Sequence, residues 1–231
     1  AVPGPVSTVA SEAERHAELF ATLTRFIALW NQRQGAPARG DLISMLANDP
    51  ATGGADPYAY VGNLILLIVA GSDTTRHSIS GALLAMNETP DAYRRLRETP
   101  DLLESAVPEI IRWQSPVAHM RRTALADVEL GGKTIRKGDK VVMWYVSGNR
   151  DETVIDDPDA FIIDRLRPRQ HVAFGFGIHR CVGNRLAEMQ LRIVWEEILK
   201  RFPFIEVVDE PRRLRSNFVK GYESMPVRIP R

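Results

Sequence analysis

The chain holds one cysteine, Cys181, among 231 residues. No internal disulfide can form, and cysteine usage implies no oxidising compartment. Excess charge is missing too: 30 Lys and Arg stand against 29 Asp and Glu, a net +1. That balance argues against a general nucleic-acid-binding protein, which needs a strongly basic face. Long apolar runs are absent; the most apolar, LILLIVAG at 64–71, falls far short of the ~20 residues that span a bilayer. Residues 1–10, AVPGPVSTVA, carry neither the positive leader nor the apolar stretch of a signal peptide. These absences set a cytoplasmic location without a membrane span as the expectation. Low-complexity linkers and repeats are also missing. At a prior of ~150 residues per domain, one compact unit over 1–231 is expected, with enough apolar content (44%) for a substantial core. The first residue is Ala rather than Met, which fits either processing or a fragment.

Apolar residues at helical spacing predict helices in the first half. One runs over 11–30, through Leu19, Phe20, Leu23, Phe26, Ile27 and Trp30, and a short one follows Asp41 in DLISMLAND. A long helix covers 56–87, where Asp56 supplies an N-cap and Pro57 a first-turn proline. Two more are predicted over 90–97 and 101–114. The texture then alternates over 127–146, with Gly131–Gly132 as a tight hairpin turn. An irregular stretch rich in Asp, Arg and Pro leads to a helix over 182–201 and a tail of short strands over 204–229. The expected class is mainly α with small β-sheets.

The glycines cluster at the cysteine, in FGFGIHRCVG at 174–183. A lone Cys is ordinarily a small buried hydrophobe. Here it precedes a helix N-terminus, which favours an anionic thiolate, and Gly175, Gly177 and Gly183 permit positive φ and close approach by something flat. One Cys cannot fill a tetrahedral zinc site. His16, His77, His119 and His171 show no cysteine-protease signature. A planar metal macrocycle needs only one thiolate, and haem fits that requirement.

Two further patterns carry chemistry. E-x-x-R occurs at Glu12–Arg15, Glu109–Arg112 and Glu210–Arg213, each readable as an ordinary ion pair one turn apart. The middle pair stands out because Val107, Ile110, Ile111 and Trp113 make its helix apolar. AGSDTT at 70–75 places an Asp and two Thr inside an apolar helix, where they are locally unfavourable. Either the helix kinks at Gly71–Ser72 with Thr hydroxyls bonding their own backbone, or Thr74 reaches the Ala70 carbonyl and opens a groove for O₂ beside Asp73, a proton relay.

FGFGIHRCVG resembles the F-x-x-G-x-[RH]-x-C-x-G signature of the haem-thiolate monooxygenases, the cytochrome P-450 superfamily. EIIR and AGSDTT resemble its E-x-x-R and oxygen-activation elements, in the same order. The resemblance implies haem b with Cys181 as the iron's axial ligand, a thiolate that favours O–O cleavage, and O₂ as co-substrate. Phe174 is then expected beside the sulfur, His179 and Arg122 on the haem propionates (Arg121 competing with Arg122), and Gly183 in the cofactor loop. Asp73 and Thr74 take the catalytic role. Glu109 and Arg112 are structural, with Arg165 of FIIDR as third member. The implied fold is the C-terminal half of the cytochrome P-450 fold: residues 1–231 would be the haem-binding part of a single domain truncated at the N-terminus, expected to be inactive alone.

The stretches GNLILLIVAGSDTTRHSISG, HMRRTALADVELGGKTIRKGDKVVMWYVSGNRDE and HVAFGFGIHRCVGNRLAE look like the bacterial soluble branch that hydroxylates the terminal carbon of medium-chain alkanes and fatty acids. Ala70 and Ser72 depart from the Gly and Asn expected there. Leu66 and Ala70, eight and four residues before Thr74, share its helix face. With Val117, Ala118 and Met120 they are the expected apolar wall for an apolar small-molecule substrate. No flavin or nicotinamide fingerprint occurs, so electrons from NAD(P)H would arrive through a ferredoxin and ferredoxin reductase. His179, Arg180, Arg185 and Arg192 are a candidate dock. A monooxygenase of terpenoid or other apolar substrates, and a haem-thiolate sensor without turnover, remain as alternatives.

Overall fold

The computed structural model describes residues 11–37, 39–54 and 56–230. The leader-free reading of residues 1–10 lies outside them. The chain divides into two compact units, Ala1–Ala70 and Gly71–Arg231.

In the first unit, α1 (Glu12–Arg33) is started by Ser11, whose side chain accepts the Glu14 amide. Asp41 does the same for α2 (Leu42–Asn48), accepting from the Ser44 amide. Such caps satisfy amides that have no partner within the helix. Asn48 closes the connection: its Nδ2 donates to the Arg33 carbonyl and its Oδ1 accepts the Gly35 amide, both at 2.9 Å. The unit's core gathers Trp30, Ala47, Tyr60, Val61 and Leu64, with the Trp30 and Tyr60 rings 3.7 Å apart. Only the C-terminal part of the α1 stripe is used. Trp30 is buried, whereas Leu19 and Phe20 are 41% and 73% exposed.

The long helix α3 (Pro57–Glu88) runs through the AGSDTT motif without a break. In the second unit its buried residues are His77, Ser78, Ala82, Ala85 and Met86, one stripe at helical spacing. That stripe packs among α4 (Pro90–Glu98), a 3₁₀ turn (Pro100–Leu102) and α5 (Leu103–Gln114). Trp195, fully buried, joins the same core from α7 (Asn184–Arg201). Pro90 and Pro100 open their elements, where a missing N–H costs nothing.

The described strands form four two-stranded antiparallel sheets. β1 (His119–Thr123) pairs with β4 (Lys140–Trp144), bringing His119 opposite Trp144. Between them, β2 (Val128–Leu130) and β3 (Lys133–Ile135) form a hairpin whose Gly131 and Gly132 have φ of 57° and 72°, as a two-residue turn requires. In the tail, β5 (Glu206–Val207) pairs with β8 (Val227–Arg228), and β6 (Arg212–Arg213) with β7 (Tyr222–Ser224).

Two sequence expectations give way. The alternating run does not stay extended to residue 146: after Trp144 the chain turns into α6 (Tyr145–Gly148), because Tyr145 and Asn149 are both buried there. The helix expected from residue 182 starts at Asn184, with Gly183 as N-cap at φ −89°. Gly183 therefore does not use the positive φ foreseen for it, and Cys181 stands ahead of the first helical turn, within which the dipole acts most strongly.

The tail is strapped onto the helices by side-chain amides and close backbone contact. Asn87 donates to the Ile205 carbonyl at 3.0 Å and accepts the Val207 amide at 2.9 Å. Gln114 donates to the Lys220 carbonyl at 2.7 Å. The His77 ring lies against Gly221, where a Cβ would come within 2.4 Å of ring atoms. A rigid ring buried to 1% exposure has no room to yield. Gly221→Ala is therefore expected to destabilise the chain by about 1–3 kcal/mol, read from urea midpoints. An unchanged midpoint would show that the tail detaches from α3 freely.

Candidate functional site

Glu109 and Arg112 lie one turn apart on α5 with no solvent exposure. Arg112 grips the carboxylate with two prongs, Nε to Oε2 and Nη2 to Oε1, each at 2.7 Å. Arg165 adds Nε to Oε2 at 3.0 Å and Nη2 to Oε1 at 3.3 Å, and the Ile162 amide donates to Oε1 at 2.9 Å. Two guanidiniums on one carboxylate leave an excess positive charge in the interior. Backbone carbonyls absorb it. Arg112 donates to Asn149 and Pro158 through Nη1 at 2.8 and 2.7 Å, and to Ala160 through Nη2 at 2.9 Å. Arg165 also donates to Asp157 and Ala160 at 3.2 and 3.0 Å. The segment 149–165, irregular by itself, is thereby fastened to α5.

The other two copies of E-x-x-R have different environments. Glu12 and Arg15 are paired, but their side chains are 58% and 35% exposed. Arg213 is not paired with Glu210; its guanidinium sits over the Tyr222 ring, 5.3 Å from the centroid.

The cysteine loop closes on itself. The Val172 carbonyl accepts the Gly175 amide at 2.8 Å, and the Phe174 carbonyl accepts the Cys181 amide at 2.9 Å. Gly175 and Gly177 have φ of 67° and 77°, a region L side chains avoid. A Cβ at Gly175 would also come within 3.0 Å of the Tyr145 hydroxyl oxygen. A 3₁₀ turn (Gly177–His179) lifts the segment outward, and Cys181 is exposed. It is not the small buried hydrophobe that a lone cysteine ordinarily is.

Phe174 is half-buried among Val107, Ile111 and Leu191, with its ring centroid 5.6 Å from that of His171. Burial, reinforced by the Arg112 and Arg180 charges, pushes the His171 pKa down to about 4. His77 is likewise lowered, by burial first and then by Arg76. His179 and Arg122 are exposed; Arg122 donates to the Arg121 carbonyl at 3.1 Å. Asp73 accepts from Arg76 at 3.0 Å, both half-exposed. The Thr74 carbonyl accepts the Ser78 hydroxyl at 2.8 Å. Leu66 (65% exposed) and Ala70 are on the stretch of α3 that belongs to the first unit. Val117 bridges to Val219, Ala118 donates its amide to the Phe218 carbonyl at 2.8 Å, and Met120 faces Met143 across β1 and β4.

The structure thus brings Glu109, Arg112 and Arg165 into one cluster and ties Phe174 to Cys181. Asp73, Arg122 and Cys181 share no hydrogen bond or ion pair among the described residues, each being held by its own neighbours. Sequence reasoning missed Tyr145 and Asn149, which contact the loop at Gly175 and Val172; Tyr145 was taken into the alternating run, and the SGNRD stretch has no periodicity to reveal Asn149. It also passed over Phe176, Ile178 and Val182, although their alternation with Gly and Cys is visible in the sequence.

A family model described as cytochrome P450 matches residues 59–224. The chain belongs to the cytochrome P450 family. Linalool 8-monooxygenase of Pseudomonas putida is 47% identical over 202 residues, 86% of this chain and 49% of that protein. Steroid C26-monooxygenase of Mycolicibacterium smegmatis is 40% identical over 213 residues, 91% of this chain and 53% of that protein. Among solved structures, cytochrome P450-153 from Novosphingobium aromaticivorans superposes with a TM-score of 0.87 at 46% identity, over 94% of this chain and 54% of its own. This P450 chain spans about half the length of the curated relatives it matches.

Haem is the group this family implies, and the loop fits it. Phe176, Ile178 and Val182 are 86%, 97% and 86% exposed around Cys181. Exposed apolar side chains within five residues of one soft sulfur donor suit a flat apolar macrocycle held by a single thiolate, and do not suit a hydrated ion.

Two measurements probe these charges. Glu109→Gln leaves two guanidiniums facing a neutral amide and is expected to cost about 3–5 kcal/mol, whereas Glu12→Gln leaves the denaturation midpoint unmoved. Equal effects would show that burial does not separate the two motifs. For His171, the folded state refuses a proton that the unfolded chain accepts below pH 6.5. Stability therefore falls as pH drops from 6.5 towards about 4 and then levels off in this contribution. His77 adds a loss of the same sign. His171→Asn is expected to flatten the decline, leaving the His77 share; identical slopes in the two proteins would contradict the assignment.

Proposed function

We propose that the complete polypeptide of which these residues form about half is a haem-thiolate monooxygenase that hydroxylates the terminal carbon of medium-chain alkanes or fatty acids. The observation that carries this reading is the exposed Cys181 in a loop closed by its own amide and carrying the exposed apolar side chains of Phe176, Ile178 and Val182. Residues 1–231 act as parts of one haem-binding domain, and without the remaining half the chain is inactive. Cys181 supplies the thiolate, with Phe174 and Gly183 shaping the loop around it. His179 and Arg122, exposed and without an ion pair to an acid among the described residues, would hydrogen-bond the haem propionates. Haem b, when bound there, supplies the iron at which O₂ is reduced and one oxygen atom enters a C–H bond.

The chain's own groups then manage protons and position. Asp73, half-exposed and paired with Arg76, holds a carboxylate where it exchanges protons with water. Thr74 is its hydroxyl-bearing neighbour on the same helix and passes a proton on. Leu66, Ala70, Val117, Ala118 and Met120 contribute apolar surface that excludes water and orients the substrate chain. Glu109, Arg112 and Arg165 keep a structural part. Electrons come from NAD(P)H through a ferredoxin reductase and an acidic ferredoxin. Arg180 and Arg185 are the best placed to meet it, being exposed; among the described residues the ion pair of Arg185 is a 3.7 Å contact to Glu188. Arg192 is already matched by Glu196 at 2.8 Å.

A second reading, terpenoid oxidation, is favoured by the 47% identity to a protein named linalool 8-monooxygenase. Turnover of octane and of linalool by the completed polypeptide with ferredoxin, reductase and NADH decides between them. The expected product is 1-octanol. Secondary alcohols alone would sink the terminal claim, turnover of linalool alone would favour the second reading, and efficient reduction without product would point to a sensor. Cys181→Ser is expected to abolish the red-shifted ferrous carbonyl band; its persistence would remove the basis of every version.

A further inference from the structure

The segment Tyr145–Asn149, which no motif marks, touches the cysteine loop at three successive places. The Tyr145 hydroxyl lies where a Cβ at Gly175 would meet it at 3.0 Å, and a Cβ at Gly148 would come within 3.1 Å of Val172 Cγ2. Asn149 Oδ1 accepts the Val172 amide at 2.7 Å. Asn149 has no solvent exposure, and its backbone N–H donates to the Tyr145 carbonyl at 2.9 Å. Nδ2 donates to Ser115 Oγ at 2.8 Å, and the backbone carbonyl accepts from Arg112 at 2.8 Å. Ser115 in turn donates to the Arg112 carbonyl at 2.7 Å and holds the left-handed φ of 42° that ends α5. One residue therefore joins the buried charge cluster to the loop.

We propose that Asn149 is a positioning residue for Cys181, resting on the reading of Cys181 as the haem ligand. The route is a relay of backbone hydrogen bonds. Asn149 fixes the Val172 amide, the Val172 carbonyl holds the Gly175 amide, and the Phe174 carbonyl holds the Cys181 amide. Each link removes a freedom that an exposed glycine-rich loop would otherwise keep. The carboxamide is suited to the task because it offers an acceptor to Val172 and a donor to Ser115 at once. Leucine, of similar size, offers neither and leaves the Val172 amide without its side-chain partner.

The test is amide hydrogen exchange on the complete polypeptide without haem, followed by the ferrous carbonyl spectrum of the same polypeptide loaded with haem. Asn149→Leu is expected to speed exchange at Val172, Gly175 and Cys181 about tenfold. Asn149→Asp keeps the acceptor and is expected to restore protection. Ser115→Ala, which removes the Nδ2 partner of Asn149 and the bond to the Arg112 carbonyl but leaves Oδ1 on Val172, is expected to leave the three amides slower than Asn149→Leu does. In the loaded protein, Asn149→Leu shifts the carbonyl band from the thiolate to the thiol form, and Asn149→Asp shifts it back. If Asn149→Leu does not fold, the unmodified chain still answers: the amides of Asn149, Val172, Gly175 and Cys181 should exchange through one shared opening. Independent exchange of those amides, or unchanged exchange in Asn149→Leu, overturns the proposal. Failure of the haem reading shows elsewhere, in the carbonyl spectrum of Cys181→Ser.

Discussion

A carboxylate sealed from water and shared by two guanidiniums cannot be left half-satisfied. Taking such charges out of water costs several kcal/mol per ion unless geometry and extra hydrogen bonds offset it. Glu109 accepts from Arg112, from Arg165 and from the Ile162 amide, and the two arginines discharge their remaining N–H groups into carbonyls of residues 149–160. Those carbonyls belong to a stretch with almost no regular structure. Its conformation is set from outside, by the demand of the buried charges. Once it is set, Asn149 has its place, and through Asn149 so does the loop that carries Cys181.

Around this centre the second unit is held by contacts that tolerate little change. Gly221 admits the His77 ring, and Gly81 admits the Gln114 side chain, whose Oε1 would stand 2.1 Å from an added Cβ. Gln114 and Asn87 then bind tail carbonyls and amides as a strand would. Short strands of two or three residues bury little by themselves. Here they gain order from side chains on α3 and α5, which keeps the helices bearing Asp73 and Glu109 fixed relative to the tail. Rigidity ends at the surface. The apolar residues close to Cys181 in sequence, Phe176, Ile178 and Val182, are exposed.

Local patterns announced much of this P450 chain. Helices over α1 and α3 were visible because their apolar residues repeat at helical spacing, α4 because Pro and Asp open it, and the start of α2 because Asp41 precedes it; that Ser11 caps α1 was seen only in the structure. Gly131–Gly132 announced a hairpin because few other residues accept positive φ twice in succession. Errors arose where burial outvoted propensity: Tyr145 and Asn149 bend the chain into α6 although the preceding residues alternate as a strand does. Gly183 was misread for a related reason, since a glycine before a helix serves equally well as an N-cap with ordinary φ.

From sequence alone came the helical class, the hairpin, the single thiol among glycines and the family those motifs point to, because each depends on residues close together in the chain. The middle E-x-x-R pair was already singled out by its apolar helix, and Arg165 by the family resemblance. That Arg112 binds the carbonyls of Asn149, Pro158 and Ala160, and that Asn149 reaches Val172, were decided only by tertiary packing. These contacts join residues 23 to 48 positions apart. No local pattern encodes them, because desolvation acts on whatever the completed fold encloses.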